Sequence, residues 1–338
     1  MKSGLHYGLK LLRSYISFKL GRPKPSYVVY CVTARCNLRC VFCSWWRKSL
    51  PELNTAEAIK LIDNMCDFGV SVIDFSGGEP LLRRDLEVLA LRAKDYGVYT
   101  VLSTNGTLIC EDRVNNLKRA FDIVNVSLDG FEETHDSTRG VHGAFKRALR
   151  GIELLRSVGV KVGIDLTIYK GNAHEVLSLF KWLVGKVDFI SFQPVMPYPP
   201  SEDVKPSLRQ VDAIVDELLK LKKLMPSYVA PPTWYIKALK LYFRCAMPRI
   251  CDAGILYFMV DPDGTVYACN AVRESIMGNA ARQSMDEVWN SSLRAKAIES
   301  TLRCKGCLSQ CTTAISMAYR SMPSLEDLKG VLSLALKR

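Results

Sequence analysis

Three cysteines, Cys36, Cys40 and Cys43, fall within eight residues of one another, and a second segment, Ser76-Gly77-Gly78-Glu79-Pro80, follows downstream. Three thiolates can hold an iron–sulfur cluster while leaving one iron open, and paired glycines let backbone come up against whatever binds there. A structural zinc ion would instead want four ligands, commonly as paired Cys-x-x-Cys steps or with histidine. The four histidines, His6, His135, His142 and His174, show no such pairing beside this loop.

The chain has twelve cysteines, and in a long intracellular protein their grouping favours metal over disulfides. Six of them, Cys245, Cys251, Cys269, Cys304, Cys307 and Cys311, lie in the last third. A hairpin over Ile255–Val260 and Thr265–Ala268, turning at Asp261-Pro262-Asp263-Gly264, would bring Cys251 and Cys269 together. Cys304-Lys305-Gly306-Cys307, after a helix near Met285–Ala297, would close that site, either around an iron–sulfur cluster or as a zinc ribbon. Cys31 and Cys66 sit in strand and helix patterns and read as buried structural thiols, with Cys110 left over.

The elements that must position these groups alternate regularly. Strand-like runs at Tyr27–Thr33, Val70–Phe75, Tyr99–Ser103, Ile123–Leu128, Lys161–Ile168 and Phe189–Gln193 interleave with helical patterns near Thr55–Phe68, Arg84–Tyr96, Glu111–Ala120, Ala144–Val158 and Ala173–Val184. Such strand–helix repeats predict an α/β fold with a parallel sheet and crossover helices, whose chemistry collects at the carboxyl ends of the strands. The cysteine loop, the glycine turn, Ser103-Thr104-Asn105-Gly106 and Ser127 with Asp129-Gly130 all fall at such ends. From residue 197 to 245 prolines, a helical stretch Leu208–Leu224 and the aromatics Trp234, Tyr235, Tyr242 and Phe243 read as a linker, the aromatics either walling a pocket or packing between domains.

Cys36-Asn37-Leu38-Arg39-Cys40-Val41-Phe42-Cys43 with Ser76-Gly77-Gly78-Glu79-Pro80 resembles the radical S-adenosylmethionine superfamily over roughly residues 27–195. The resemblance implies a partial (β/α)6 TIM-like barrel and a [4Fe–4S] cluster on Cys36, Cys40 and Cys43. The open iron of that cluster would take the amino and carboxylate groups of S-adenosylmethionine. Reductive cleavage would then yield a 5′-deoxyadenosyl radical that removes hydrogen from substrate. It also implies that Phe42 touches adenine and that the Gly77-Gly78-Glu79 backbone receives the methionine amino group. Ser103, Asn105, Ser127 and Asp129 match positions contacting the ribose and methionine end, and Arg139 resembles an arginine paired with the methionine carboxylate.

Gly264-x4-Cys269, Gly278-Asn279, Trp289 and Cys304-x2-Cys307 resemble the SPASM extension or its shortened twitch form, a small C-terminal cysteine-rich domain. Six cysteines cannot supply two fully thiolate-ligated cubanes, so one auxiliary [4Fe–4S] cluster is expected, on Cys251, Cys269, Cys304 and Cys307, with Cys311 and Cys245 in reserve. The expected organisation is a basic N-terminal helix (1–25), barrel (26–196), linker (197–245), auxiliary domain (246–313) and C-terminal helix (314–338).

The formal net charge is +12, and residues 1–50 carry ten Lys or Arg and no acid before Glu52. No helix-turn-helix, zinc-finger or RNA-binding signature accompanies that charge, which argues against nucleic acid. Leu5, Leu9, Leu12, Ile16 and Leu20 form an apolar stripe beside Lys2, Lys10, Arg13 and Lys19, widened by Tyr7, Tyr15 and Phe18, as on a basic amphipathic helix. Neither a secretory signal nor a spanning segment is evident, so a cytoplasmic protein, peripheral on the membrane face, is expected. These features, with Leu325, Leu328, Leu332 and Leu336, favour a membrane-lipid chain as substrate. A peptide maturase is the alternative, weakly disfavoured because about 26 residues before the first strand are few for a leader-binding domain. A non-enzymatic electron carrier is a third reading, against which the glycine turn argues. The enzyme readings need a reductant, an acidic ferredoxin or flavodoxin, which would also suit the positive charge.

Overall fold

The computed structural model describes residues 12–196 and 204–320, with 324, 327 and 329. Six strands lie parallel and consecutively paired: β1 (Tyr27–Thr33), β2 (Val72–Gly77), β3 (Tyr99–Thr104), β4 (Ile123–Ser127), β5 (Val162–Ile168) and β6 (Phe189–Pro194). The crossovers are helical, through α1 (Thr55–Phe68), α2 (Leu86–Asp95), α3 (Glu111–Ala120), α4 (Glu132–Arg139), α5 (Ala144–Ser157) and α6 (Val176–Leu183). Parallel strands need such covered faces, and β1 shows it: all its residues but Tyr27 are buried. The helix boundaries have local causes. Asn54 and Glu57 close a reciprocal capping box at the start of α1, and Gly69 ends it at φ 102°, a left-handed conformation that suits glycine.

The expected hairpin forms as β7 (Tyr257–Val260) and β8 (Thr265–Tyr267), followed by β9 (Ile276–Asn279). It is not a separate layer. β7 pairs in parallel with β1, so one nine-stranded sheet runs β6-β5-β4-β3-β2-β1-β7-β8-β9 and the two cysteine groups flank the same strand. Trp289 wedges against Phe68 of α1 and Phe258 of β7, which ties the extension to the barrel core. The helix expected over Met285–Ala297 is two, α9 (Met285–Trp289) and α10 (Ser292–Leu302), because Ser291 caps the second.

The stretch expected as a linker carries α7 (Leu208–Leu224) and α8 (Thr233–Phe243), packed on each other. Its residues Tyr228 and Ala230 bond to Ile190, covering the β6 edge. Tyr242 and Phe243 are core residues. Tyr235 is buried too, and its hydroxyl donates to the Leu308 carbonyl at 2.7 Å, joining this layer to the last cysteine loop.

At the N-terminus residues 12–19 are helical, with Leu12, Tyr15, Ile16 and Leu20 exposed. Phe18 packs edge-on against Tyr319 of α11 (Ile315–Arg320), whose hydroxyl donates to Ser14. The other expected members of the two amphipathic stripes (Lys2, Leu5, Tyr7, Leu9 and Lys10; Leu325, Leu328, Leu332 and Leu336) lie outside the described residues. Among the described residues no helix is long and apolar enough to cross a membrane.

Candidate active site

The loop after β1 carries Cys36, Cys40 and Cys43 to the rim of the sheet, where all three line a cavity of about 520 Å³. The loop is held from outside: Arg39 and Val41 donate backbone N–H groups to the carbonyls of Arg139 and Thr138 at the end of α4. Inside the loop, backbone N–H groups point at sulfur, Leu38 to Cys36 Sγ and Trp45 to Cys43 Sγ, both at 3.4 Å. Burial pushes the Cys36 thiol up to about 11 and raises that of Cys43. Ligation must therefore displace protons, and N–H donors at sulfur are the contacts that tune an iron–sulfur cluster.

Gly77 and Gly78 line the same cavity because the β2 end presses against the cysteine loop. Gly77 adopts φ 139°, and a Cβ on Gly78 would lie 2.6 Å from the Ala34 carbonyl oxygen. Gly78 N–H donates to Thr33 O and Glu79 N–H to Arg35 O, so these two groups clamp the loops together. Glu79, whose backbone is expected at the cofactor with that of Gly77 and Gly78, turns its side chain away from the cavity. It is fully buried and accepts from Thr104 Oγ1 at 2.6 Å, Asn105 N–H at 2.8 Å and Leu81 N–H at 3.0 Å. It staples the glycine turn to β3.

Of the other expected rim residues, Phe42, Ser103, Asn105, Ser127 and Arg139 line the cavity. Asn105 donates to Asn37 Oδ1 at 2.8 Å, bracing the cysteine loop, and Ser103 donates to Asp74 Oδ1 at 2.8 Å. Asp129 is set back from the cavity and ion-pairs with Arg139, which also reaches Cys40 Sγ at 3.7 Å. Burial works against the Arg139 charge, but Asp129 and Cys40 outweigh it and hold the guanidinium protonated. His135 donates nothing to Asp129: burial and Arg139 keep it neutral, and its Nδ1 accepts the Asp129 N–H.

The lumen holds carboxylates that the sequence reading missed. Asp74 on β2 accepts from Tyr27 as well as Ser103, and burial lifts it to about 6. Asp165 on β5 is lifted to about 7 by burial, with Asp74 and Asp129 adding repulsion, and its Oδ1 has no partner. The signal was there: each is an acid inside an apolar strand, VIDFSG and VGIDLTI.

The second cysteine group lies beyond β7. Burial pushes Cys251 up to about 12 and Cys269 to about 11; Cys307 is near enough to act on both and Cys304 to act on Cys269. Cys251, Cys269 and Cys307 are thus neighbours, and Cys304 neighbours Cys269. Cys311 is half-buried beside Asp74, Asp165 and Cys269 and lines the cavity, while Cys245 is exposed at φ 55° and bonded by Lys205. Among the described residues no three Cys, His, Asp or Glu side chains converge tightly enough for a single metal ion. The matched motif residues Gly264, Gly278 and Asn279 are structural: Asn279 donates to the Asp263 carbonyl and locks the turn.

Residues 30–183 match the model of the radical SAM superfamily, and residues 251–312 match SPASM, an iron–sulfur cluster-binding domain. An Fe-coproporphyrin III synthase of Methanosarcina barkeri is 36% identical over 315 residues, 84% of this chain and 79% of that protein. An AdoMet-dependent heme synthase of the same organism is 31% identical over 79% of this chain and 83% of its own length. Among solved structures, Streptococcus suis SuiB bound to precursor peptide SuiA aligns with a TM-score of 0.67 at 16% identity, covering 93% of this chain and 76% of that one. This likeness shows a shared fold. Two iron–sulfur clusters and S-adenosylmethionine are accordingly the cofactors, and the thiol groups described above fit them. The chain belongs to the radical SAM superfamily, in the branch that carries a C-terminal SPASM domain.

Proposed function

We propose that this radical SAM enzyme acts on a peripheral side chain of an iron tetrapyrrole. The observation that carries the reading is the extent of similarity to proteins named Fe-coproporphyrin III synthase and AdoMet-dependent heme synthase, each spanning most of both chains. With Cys36, Cys40 and Cys43 as ligands, the cluster and S-adenosylmethionine supply a radical able to take hydrogen from an unactivated carbon. The protein's own residues would do the rest. Arg139, fixed by Asp129, would pair with the methionine carboxylate, and Phe42, Ser103, Asn105 and Ser127 would frame the nucleoside. The Gly77 and Gly78 turn leaves room for the methionine end. Cys251, Cys269, Cys304 and Cys307 would hold the auxiliary cluster. An acidic ferredoxin or flavodoxin would supply electrons, drawn to the basic first fifty residues.

A peptide substrate is the second reading. It is favoured by a PqqA peptide cyclase of Bradyrhizobium diazoefficiens, 28% identical over 79% of this chain and 73% of that protein. The lipid chain expected from the N-terminal stripe finds no support in these relatives and is not retained, and the radical SAM assignment replaces the electron-carrier reading.

The test is anaerobic incubation of the reconstituted enzyme with S-adenosylmethionine, dithionite and either iron coproporphyrin III or the host's small peptides, followed by mass spectrometry. A mass change confined to the tetrapyrrole pool supports the reading. A change confined to the peptide pool overturns it.

A further inference from the structure

The helical turn Trp45–Arg47 begins one residue beyond Cys43, after Ser44, and Trp45 and Trp46 both line the cavity. Cations crowd them. The Arg39 and Arg47 guanidinium carbons lie 5.1 and 4.7 Å from the Trp46 ring centre, and Lys48 Nζ lies 3.8 Å from that of Trp45. Arg273, from the extension, stands 5.8 Å from Trp45. Arg273 is neutralised by Asp261, and nearby Glu52 is taken by Arg35. Among the described residues no carboxylate ion-pairs with Arg39, Arg47 or Lys48.

Two hydrogen-bond donors on the cavity wall are also unanswered. The Trp46 Nε1–H is buried without an acceptor, and so is Nε2 of Gln310, in the loop between Cys307 and Cys311. Buried donors are almost always paired, so two on one wall point to a ligand rich in acceptors. Cations without a carboxylate partner beside these donors add that the ligand carries carboxylates, and the tetrapyrrole reading above makes it planar. The part of the wall formed by β4 and β5 has the opposite character, with Asn125 Oδ1 and Asp165 Oδ1 as unpartnered acceptors.

We infer that Trp45, Trp46, Arg47, Lys48 and Gln310 form a docking platform for the carboxylate side chains of a planar anionic substrate, separate from the seat of S-adenosylmethionine. The inference rests on the tetrapyrrole reading above and assigns to that reaction the residues that choose its substrate.

The test is titration of the reconstituted enzyme, with S-adenosylmethionine present, by iron coproporphyrin III, followed in its visible absorption band. Iron octaethylporphyrin, the same ring with only alkyl edges, is the comparison. The expected result is at least tenfold tighter binding of the coproporphyrin. Arg47→Gln with Lys48→Gln should weaken it by roughly 10- to 100-fold and remove the preference, the size expected for losing charge-assisted hydrogen bonds. Trp46→Phe, which keeps an aromatic face and deletes the donor, should weaken it by about fivefold or more. Lys118→Gln with Arg119→Gln on distant α3 controls for net charge and should change nothing.

If wild type binds both porphyrins equally, or the Arg47/Lys48 variant binds coproporphyrin as wild type does, the platform is wrong and the tetrapyrrole reading stands. A loss of S-adenosylmethionine affinity in Trp46→Phe with coproporphyrin binding intact also overturns it, by assigning the donor to the cosubstrate. If wild type binds neither porphyrin, the functional reading itself fails and the platform with it.

Discussion

Arg139 Nη2 and Asp129 Oδ2 stand 2.5 Å apart in a buried ion pair, while the other arm of the same guanidinium reaches Cys40 Sγ at 3.7 Å. One side chain thus connects the end of β4 to the cysteine loop. Asp129 is itself anchored by the Thr167 N–H at 2.9 Å. The pair fixes a positive charge beside the proposed cofactor seat.

Removing the acid should leave that charge buried and uncompensated. Asp129→Ala is expected to destabilise the fold by about 3–5 kcal/mol. Arg139→Lys keeps a charge but loses the planar fork, so S-adenosylmethionine affinity should fall roughly 10- to 100-fold. Denaturant unfolding and anaerobic calorimetry, respectively, measure the two effects.

Gly78→Ala would place a methyl group against the carbonyls of Ala34 and Arg35, both backbone atoms that cannot swing aside. The glycine turn and the cysteine loop should separate. Release of 5′-deoxyadenosine is expected to drop by two orders of magnitude or more, about 3 kcal/mol of lost positioning. An unchanged rate by liquid chromatography would contradict the close approach described here.

Asp165 gives a pH dependence with a definite sign. Its carboxyl is raised from an ordinary 3.8 to about 7 in the fold, so the native state favours the protonated form. The stability this contributes is complete below about pH 4 and is lost as pH rises through 7. Asp165→Asn should therefore be more stable than wild type at pH 8, by on the order of 2 kcal/mol since the side chain borders a cavity, and the gap should close near pH 4. Thermal melts across pH 4–8 would show it. A gap that widens toward acid would mean the opposite shift.

Cys269→Ala should halve the iron content of the reconstituted enzyme, from roughly eight to about four atoms per chain, because only the auxiliary cubane is lost. Cys311→Ala should leave iron unchanged, since the four favoured thiols stay together. Iron and zinc analysis of anaerobic protein decides both. Stoichiometric zinc in place of four irons would refute the auxiliary cluster.

Much of this was legible beforehand. β1 was read to its limits because an apolar run between Pro25 and the cysteine loop leaves little freedom. The cysteine loop and the glycine turn carried their chemistry in their spacing. The helix α4, which positions Arg139, was not visible: it is short, almost wholly polar, and formed where it packs. The structural part played by the Glu79 side chain was not legible, because only the fold shows it turning back to β3 while the neighbouring glycines line the cavity. The lumen acids Asp74 and Asp165 sat in plain view inside strands, but only the sheet register places them across one cavity. The lipid expectation leaned on a charge pattern, and charge alone does not name a partner.

The most direct measurement uses iron coproporphyrin III deuterated on its side chains, incubated anaerobically with the enzyme, S-adenosylmethionine and dithionite. Deuterium should appear in 5′-deoxyadenosine, carried there from the tetrapyrrole. If 5′-deoxyadenosine forms without deuterium, and peptide supplied with deuterated side chains labels it instead, the tetrapyrrole is not the substrate.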